Sequence, residues 1–317
     1  MRIAAALVLV ALSAAGLTLL AQVQEDSVIK VDVDLVNVLF SVRDKKGTLI
    51  PALTKDDFQV FEDGKEQKIS SFTRESDLPL TIGLLVDVSR SQEALIEVER
   101  RAAAQFFERV LRPKDMAFLI SFGGEAELLQ DYTNSQSLLS GALRQLKVDG
   151  GVYSPINSGP IPSQPRGTIL FDTVYLAADE KLKGEVGRKA IVVITDGVDM
   201  GSRVKLREAL DAAHRADAII YSVYYVDWRA YGGMFNPSDG DLRKLSEETG
   251  GRVYKVDRRY SLEMIFDEIQ KEMRSQYALA YSSSNPSKDG GFRKLEIKPR
   301  AKDLKVQARK GYFAAKQ

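Results

Sequence analysis

The chain has 317 residues, no cysteine and one histidine, and its 45 Lys and Arg residues balance 44 Asp and Glu residues. This composition excludes disulfides, Cys/His zinc sites, cysteine nucleophiles and iron–sulfur clusters, and it offers no basic field for nucleic acid. With His214 as the single histidine, a histidine-based catalytic triad is not expected. Any bound metal ion must therefore be a hard cation held by oxygen atoms.

The first 21 residues predict an export signal. A cation at Arg2 precedes an apolar run from Ile3 to Leu20. Cleavage after Ala15 fits the small Ser13 and Ala15, and cleavage after Ala21 is the alternative, for which Leu19 is a poor residue. The run is also long enough for an uncleaved membrane anchor, the alternative for residues 1–21. Either interpretation exports the rest of the chain to a bacterial periplasm, cell envelope or exterior, with membrane contact only through this segment if it is retained.

Strand-like segments lie on both sides of the middle of the chain. In the first block, "IKVDVDLVNVLFSVRD" alternates apolar and polar residues, and "DDFQVFEDGKEQKISSFTR" is typical of a hairpin with its bend at Asp63-Gly64. In the last block, "QYALAYSSS", "FRKLEIKPR" and "LKVQARKGYF" are short strands. Neither block is long enough for a sandwich alone, so residues 29–78 and 277–314 are predicted to form one discontinuous β-sandwich domain.

Residues 79–275 alternate buried strands with amphipathic helices. The runs "TIGLLVDV", "DMAFLISF", "KAIVVITD" and "AIIYSVYYV" are typical of strands buried on both faces, and "SQEALIEVERRAAAQFFERVL" has one apolar helical face. This alternation predicts an α/β fold with a doubly wound, mostly parallel sheet, beside the small β-sandwich. The segment Val148–Gly167, rich in Gly, Pro and Ser, is predicted to be a surface loop.

Polar residues follow two of these strands where each strand ends. Asp87, Ser89 and Ser91 occupy alternate positions after the first strand, Asp196 follows "KAIVVIT", and Thr168 precedes the helix between them. Alternate residues of an extended segment share one side, so these oxygens can point at one centre. Hydroxyl ligands leave a cation short of negative charge, which favours a divalent ion that keeps water and recruits an outside carboxylate. For the triplet alone, a turn with Ser91 as a helix N-cap is the alternative.

The pattern "DVSRS", a later Thr and a later "TDG" resembles the metal-ion-dependent adhesion site of von Willebrand factor type A (VWA) domains. The segments "FQVFEDGKEQKISSF", "ITDGVDMGSR", "LSEETGGRVYKV" and "ARKGYF" extend the resemblance over nearly the whole chain, to an exported bacterial VWA-related group known chiefly from acidobacteria. The resemblance implies a Rossmann-like domain in which Ser89, Ser91 and Thr168 coordinate the ion directly. It also implies that Asp87 and Asp196 accept from bound waters or ligate the ion.

Two positions qualify this resemblance. Thr168 is assigned because "PRGTILFDTVYLA" is similar to the family's Gly-Thr before a helix, and Thr173 is the alternative. Arg90 stands between the two serines, where the family usually has a small residue. A long cation there either weakens ion binding by its charge or swings out to contact an acidic ligand.

These inferences predict a non-enzymatic, exported protein-binding module. It would hold a divalent cation, Mg²⁺ first with Mn²⁺ or Ca²⁺ as alternatives, and bind a partner protein through an Asp or Glu carboxylate. Nucleic acid is not an expected partner. One alternative is a structural envelope component with a degenerate metal site. The other is a metal-dependent hydrolase, for which Ser89 would need a base that the motif lacks. His214 is predicted to be structural, and Trp228 to pack at a strand end or line a protein-binding rim.

Overall fold

The structure is a computed structural model and describes residues 35–75, 78–149, 167–232 and 236–316. The predicted export segment and most of the predicted loop Val148–Gly167 lie outside the described residues. Among the helices that the structure describes, none has the length and apolar character needed to cross a membrane.

Strands and α-helices alternate through the middle of the chain, whereas the described residues on either side form strands without α-helices. The strands are β1 (Leu35–Asp44), β2 (Phe58–Glu62), β3 (Lys65–Gln67), β4 (Ile69–Glu75), β5 (Leu80–Asp87), β6 (Met116–Phe122), β7 (Ala126–Thr133), β8 (Arg188–Thr195), β9 (Ala218–Tyr224), β10 (Val253–Lys255), β11 (Gln276–Ser282), β12 (Phe292–Pro299), β13 (Leu304–Ala308) and β14 (Gly311–Phe313). The α-helices are α1 (Ile96–Val110), α2 (Gln136–Leu143), α3 (Leu170–Leu176), α4 (Leu206–Arg215), α5 (Gly240–Thr249) and α6 (Leu262–Met273). Helix α3 continues into a π-helical turn, Ala177–Leu182, and short 3₁₀ helices form at Lys55–Asp57, Arg90–Gln92 and Trp228–Tyr231.

The central sheet has the strand order β10-β9-β8-β5-β6-β7, in which β7 alone runs antiparallel to its neighbour. Every residue of β5 is buried, because helices cover both faces of the sheet. Helices α1, α2 and α6 pack on one face, and α3, α4 and α5 pack on the other. The predicted α/β class with a doubly wound, mostly parallel sheet is confirmed.

Two four-stranded antiparallel sheets flank the central sheet, in the orders β13-β1-β11-β4 and β14-β12-β2-β3. Their facing side chains form one apolar core that includes Phe40, Val60, Tyr277 and Leu295. Strand β1 from the first block pairs with β11 from the last block, so both blocks build this region together. These flanking antiparallel sheets agree with the second part of the predicted fold class, the small β-sandwich beside the α/β sheet. The domain limits 29–78, 277–314 and 79–275 stay predictions.

Candidate functional site

Two carboxylates meet at the carboxyl edge of the central sheet. Strands β5 and β8 pair in parallel with Val86 opposite Ile194, so both strands end at the same level. Strand β5 ends at Asp87, and Asp196 directly follows β8. Both carboxylate side chains are fully buried. The parallel register therefore brings together two acids that are far apart in sequence.

Hydrogen bonds join four of the five predicted site residues. Ser89 Oγ and Ser91 Oγ lie 3.0 Å apart, and Ser91 Oγ donates to Asp196 Oδ2 over 2.6 Å. Asp87 accepts on Oδ1 from the Ser89 N–H at 2.9 Å and on Oδ2 from the Thr195 hydroxyl at 2.6 Å. Asp87, Ser89, Ser91 and Asp196 thus form one cluster of oxygen atoms, which we call the edge cluster.

Thr168 lies at the same edge of the sheet, but its hydroxyl has no hydrogen bond to the edge cluster. Its carbonyl accepts from the N–H groups of Met200 and Gly201, each at 3.1 Å. The N–H of Ile169 donates over 2.9 Å to the carbonyl of Gly123, just after β6. These bonds place the segment before α3 between the loops that follow β6 and β8. The structure thus brings the backbone of Thr168 to the site without joining its side chain to the other four residues.

The start of α3 is held by the loop after β8. The Phe171 N–H donates to Asp199 Oδ1 at 3.1 Å and to Ser202 Oγ at 3.0 Å, which satisfies a backbone donor that the first helical turn leaves open. Thr173, the alternative to Thr168, is buried and donates its hydroxyl over 2.8 Å to the Ile169 carbonyl one turn earlier. That internal bond occupies the Thr173 hydroxyl within the helix.

Two residues that the sequence reasoning missed also contact the edge cluster. Gln92 Nε2 donates to Asp196 Oδ2 at 2.9 Å, while its buried Oε1 has no hydrogen-bond partner among the described residues. Tyr231 donates its hydroxyl to the same Asp196 Oδ2 and is hydrogen-bonded to Ser91. Gln92 directly follows the serine pattern and could have been noticed there. Tyr231 lies on the distant 3₁₀ helix Trp228–Tyr231, and no local sequence pattern predicts its contact with Asp196.

Glu99 on α1 is a third buried carboxyl near the edge cluster. Both of its carboxylate oxygens lack a hydrogen-bond partner among the residues described. Burial raises the pKa of Glu99 well above its usual range, and the charges of Asp87 and Asp196 raise it further. The sequence could have indicated Glu99, because it occupies the apolar face of α1 between Ile96 and Ala103, where a carboxyl group is unexpected.

The buried acidic side chains of the site, Asp87, Asp196 and Glu99, repel one another. Burial, followed by repulsion from Asp196, raises the pKa of Asp87 to about 7, although hydrogen bonds from Thr195 and Ser89 act in the opposite direction. A divalent cation would offset such repulsion, since an ion of opposite charge favours the ionised carboxylates. In the described part of the chain, no group of three or more His, Cys, Asp or Glu side chains could hold a metal ion. A cation here would therefore need the serine hydroxyls as ligands, and the donor set fits a hard divalent ion.

An open cleft of about 460 Å³ borders the edge cluster at Ser91. Arg90, an exposed residue, lines this cleft together with Asp227 and Arg229. Arg229 pairs with Asp227 through Nε–Oδ1 and Nη2–Oδ2 contacts of 2.8 and 3.0 Å. Trp228, between these two residues, is 58% exposed. The cleft gives solvent, and any partner side chain, a route to the Ser91 hydroxyl.

A scan against protein-family models matched none, and a search of curated proteins found no match. Among solved structures, BatB from Bacteroides thetaiotaomicron is 18% identical with a TM-score of 0.46, covering 61% of this chain and 97% of that one. The mussel byssus matrix protein PTMP1, with a zinc-occupied MIDAS motif, is 15% identical with a TM-score of 0.48, covering 66% and 48%. The vWF domain of the pili tip protein Mfa5 from Porphyromonas gingivalis is 11% identical with a TM-score of 0.45, covering 62% and 95%.

The fold itself follows from the strand order and parallel register of the central sheet. The chain is an α/β protein with a doubly wound, mostly parallel sheet and flanking antiparallel sheets.

Proposed function

We propose that the chain is an exported protein-interaction module of the VWA type that binds a divalent cation at its edge cluster. The observation that supports this most strongly is the pair of fully buried carboxylates, Asp87 and Asp196, hydrogen-bonded to hydroxyls at the carboxyl edge of a parallel sheet. In open α/β sheets that edge is where ligands bind. The module is proposed to act by binding and not by catalysis.

The proposed roles of the five residues follow the resemblance. Ser89, Ser91 and Thr168 would offer hydroxyl oxygens to the cation, while Asp87 and Asp196 would accept from its waters or ligate it. Mg²⁺ is the proposed ion, because a site with few charged ligands and retained water suits it, with Mn²⁺ and Ca²⁺ as alternatives. The bound ion would supply a position at which an outside carboxylate can coordinate.

The proposed partner is a protein that presents an Asp or Glu side chain. Its carboxylate would approach Ser91 through the cleft lined by Arg90, Asp227 and Arg229. The positive charge of Arg90 at the cleft would favour an acidic segment and speed its association. Export depends on residues 1–21, and we propose the periplasm, cell envelope or exterior as the location.

One observation favours a second candidate, a structural component whose cation site is degenerate. Asp196 Oδ2 already accepts hydrogen bonds from Ser91, Gln92 and Tyr231. An oxygen with three protein donors has little capacity left for a cation or its waters. The two candidates differ in a single measurable property, which is saturable cation binding.

Calorimetric titration of the full chain with MgCl₂, MnCl₂ and CaCl₂ distinguishes these candidates. We expect saturable binding by the unmodified chain and at least about tenfold weaker binding by Ser91→Ala, which removes one ligand and the hydrogen bond to Asp196. Ser287→Ala is the matched control, because Ser287 is an exposed loop serine bonded to Asp289. Absence of saturable heat with all three ions would contradict the first candidate and support the structural one.

The partner half of the proposal needs its own measurement. Proteins of an envelope extract retained by the unmodified chain should be released by EDTA and should not be retained by Ser91→Ala. Retention that is equal with and without EDTA would rule out a cation-dependent partner.

A further inference from the structure

A second, smaller pocket lies away from the edge cluster, where β1 and β13 approach the loop that leads into β10. It has a volume of about 190 Å³. Four of its lining side chains are cationic, namely Arg43, Lys45, Arg252 and Lys305, and Asp44 is the acidic one. The Gln307 side chain donates to the Gly251 carbonyl, which ties β13 to this loop. We call this space the basic pocket.

The strand register places two of these cations directly against each other. Arg43 on β1 is the Cα partner of Lys305 on β13 in the antiparallel pairing. Like charges directly opposite one another destabilise a sheet unless something compensates them. Glu272 offsets the charge of Arg43, whereas the exposed Lys305 has no ion pair with a described residue.

The guanidinium groups at the basic pocket have hydrogen-bond donors to spare. Arg43 is only 7% exposed and donates from Nη1 to the Gly47 carbonyl at 2.7 Å and from Nη2 to Glu272 Oε2 at 2.6 Å. Its buried Nε has no hydrogen-bond partner among the described residues, and the same holds for the buried Nε of Arg252. The Arg252 Nε is 3.6 Å from Glu272 Oε2, which is too far for a hydrogen bond but close enough for an ion pair. Both Nε atoms are shielded from solvent, so they lie in the wall of the pocket and do not face its open space.

The acids nearest the basic pocket already have partners, and one of them, Glu268, lies 3.8 Å from Arg43 Nη1. Glu272 accepts from Ser41 Oγ at 3.0 Å and from the Tyr254 hydroxyl at 3.3 Å, in addition to Arg43. Asp44 Oδ1 accepts from the backbone N–H groups of the turn that follows β1. The four cationic side chains thus outnumber the three nearby acids, Asp44, Glu268 and Glu272.

We propose that the basic pocket binds a small tetrahedral oxyanion, a phosphate or sulfate group. Such an anion offers several acceptor oxygens to the four cationic side chains that line the pocket, and guanidinium groups match its geometry well. Its charge also relieves the repulsion between Arg43 and Lys305. The site is independent of the edge cluster, and it connects the flanking sheets to the edge of the central sheet.

Calorimetric titration of the full chain with sodium phosphate and with sodium sulfate tests the proposal. The titrations are made at constant ionic strength and in EDTA, so that failure of the cation site cannot affect them. We expect saturable one-to-one binding, weakened at least about tenfold when Arg252→Gln and Lys305→Gln are combined. The control combines Lys302→Gln with Lys310→Gln, which removes the same charge from exposed positions outside the pocket lining. Far-UV circular dichroism confirms that each variant is folded.

Three outcomes would overturn the proposal. These are no saturable binding of either anion, an equal loss of binding in the control variant, and sodium acetate binding as tightly as phosphate. The last outcome would reassign the pocket to carboxylates, since acetate carries the charge without the tetrahedral oxygens. Saturable binding of phosphate or sulfate that only the Arg252 and Lys305 substitutions weaken supports the proposal.

Discussion

Asp196 Oδ2 is the atom on which most of the candidate site converges. It accepts from Ser91 at 2.6 Å, from Gln92 at 2.9 Å and from the Tyr231 hydroxyl. Three donors from two separate parts of the chain therefore fix the position of this oxygen. Burial, and then the bond to Asp196, raise the pKa of Tyr231, which keeps its proton in place for donation. A cation at the edge cluster must share this oxygen with the three donors or displace one of them.

Tyr231→Phe tests that competition. Removing the phenolic hydroxyl frees part of Asp196 Oδ2, so we expect Mg²⁺ to bind about threefold to tenfold more tightly in calorimetric titration. Tyr277→Phe is the control, since that hydroxyl bonds the Leu53 N–H and the Ile50 carbonyl between β1 and β2, away from the edge cluster. Weaker binding by Tyr231→Phe would show instead that the phenolic oxygen serves as a ligand.

Glu99→Gln tests the cost of the third buried carboxyl. The pKa of Glu99 is raised in the folded chain. Glu99 therefore lowers the free energy of unfolding, by nothing below the ordinary pKa range of Glu and by an increasing amount as pH rises to 7. In EDTA at pH 7 the variant should gain about 1–3 kcal/mol in free energy of unfolding, measured by urea denaturation. Excess Mg²⁺ should reduce this difference in free energy of unfolding, because the cation offsets the negative charge of the buried carboxylates.

Glu97→Gln provides the matched comparison on the same helix, because Glu97 is exposed and paired with Arg100. It should change the free energy of unfolding by less than about 1 kcal/mol. A Glu99→Gln variant less stable than the unmodified chain in EDTA at pH 7 would contradict our account of the crowded carboxyls.

At the scale of elements, α4 is the helix that joins the central sheet to the flanking strands. His214 near its end is buried against Phe292 of β12, with ring centroids 5.3 Å apart in an edge-on arrangement. The next residue, Arg215, stacks its guanidinium 3.9 Å from the ring centroid of Phe313 on β14. Neither nitrogen of His214 has a hydrogen-bond partner among the described residues. This packing requires a neutral imidazole.

The pH dependence of stability should report this contact. Burial, with help from the charge of Arg309, lowers the pKa of His214 to about 4, while Asp217 opposes the shift. The unfolded chain therefore takes up the proton first as pH falls. The stabilising contribution of His214 to the free energy of unfolding is complete above the ordinary His pKa of about 6.5. It is lost as pH falls towards 4.

Urea unfolding at pH 7 and pH 4 should show the difference between the unmodified chain and His214→Leu, whose side chain does not titrate. Between these pH values the unmodified chain should lose about 3 kcal/mol more than the variant. Parallel losses in both proteins would mean that the imidazole becomes protonated without disturbing the contact.

At the scale of the whole molecule, Leu35–Gln317 form one compact unit. A buried polar group connects its parts, because Glu272 on α6 accepts from Ser41 and Arg43 on β1 and from Tyr254 on β10. Glu272 is fully buried, so these partners supply the hydrogen bonds that water would otherwise make. The helical layer, the edge of the central sheet and the flanking sheets therefore depend on one carboxylate.

Glu272→Ala should destabilise the chain by about 3–5 kcal/mol, because it leaves the buried Arg43 without its main counter-charge. Chemical unfolding should still show a single transition. Glu268→Ala is the control, since Glu268 is partly exposed and lies 3.8 Å from Arg43 Nη1, and it should cost less than about 1 kcal/mol. Equal losses in both variants would show that burial of Glu272 contributes nothing extra.

The fold could be predicted because its signals are local. The continuous apolar runs "TIGLLVDV" and "KAIVVITD" became β5 (Leu80–Asp87) and β8 (Arg188–Thr195), since strands covered on both faces have no polar side to alternate with. The hairpin at Asp63-Gly64 formed between β2 and β3, with positive φ at both residues. Its sequence is typical of such turns.

The sequence by itself determined the doubly wound sheet and the position of Asp87, Ser89 and Ser91 at a strand end, because periodicity and strand-end chemistry are encoded by neighbouring residues. The tertiary structure alone decided that Tyr231 would contact Asp196 and that the Thr168 hydroxyl would not. Such contacts depend on how loops from distant segments pack over the sheet edge, and side-chain reach across that edge leaves no periodic trace along the chain. For the same reason, no sequence motif predicted that Arg43 and Arg252 would line one pocket.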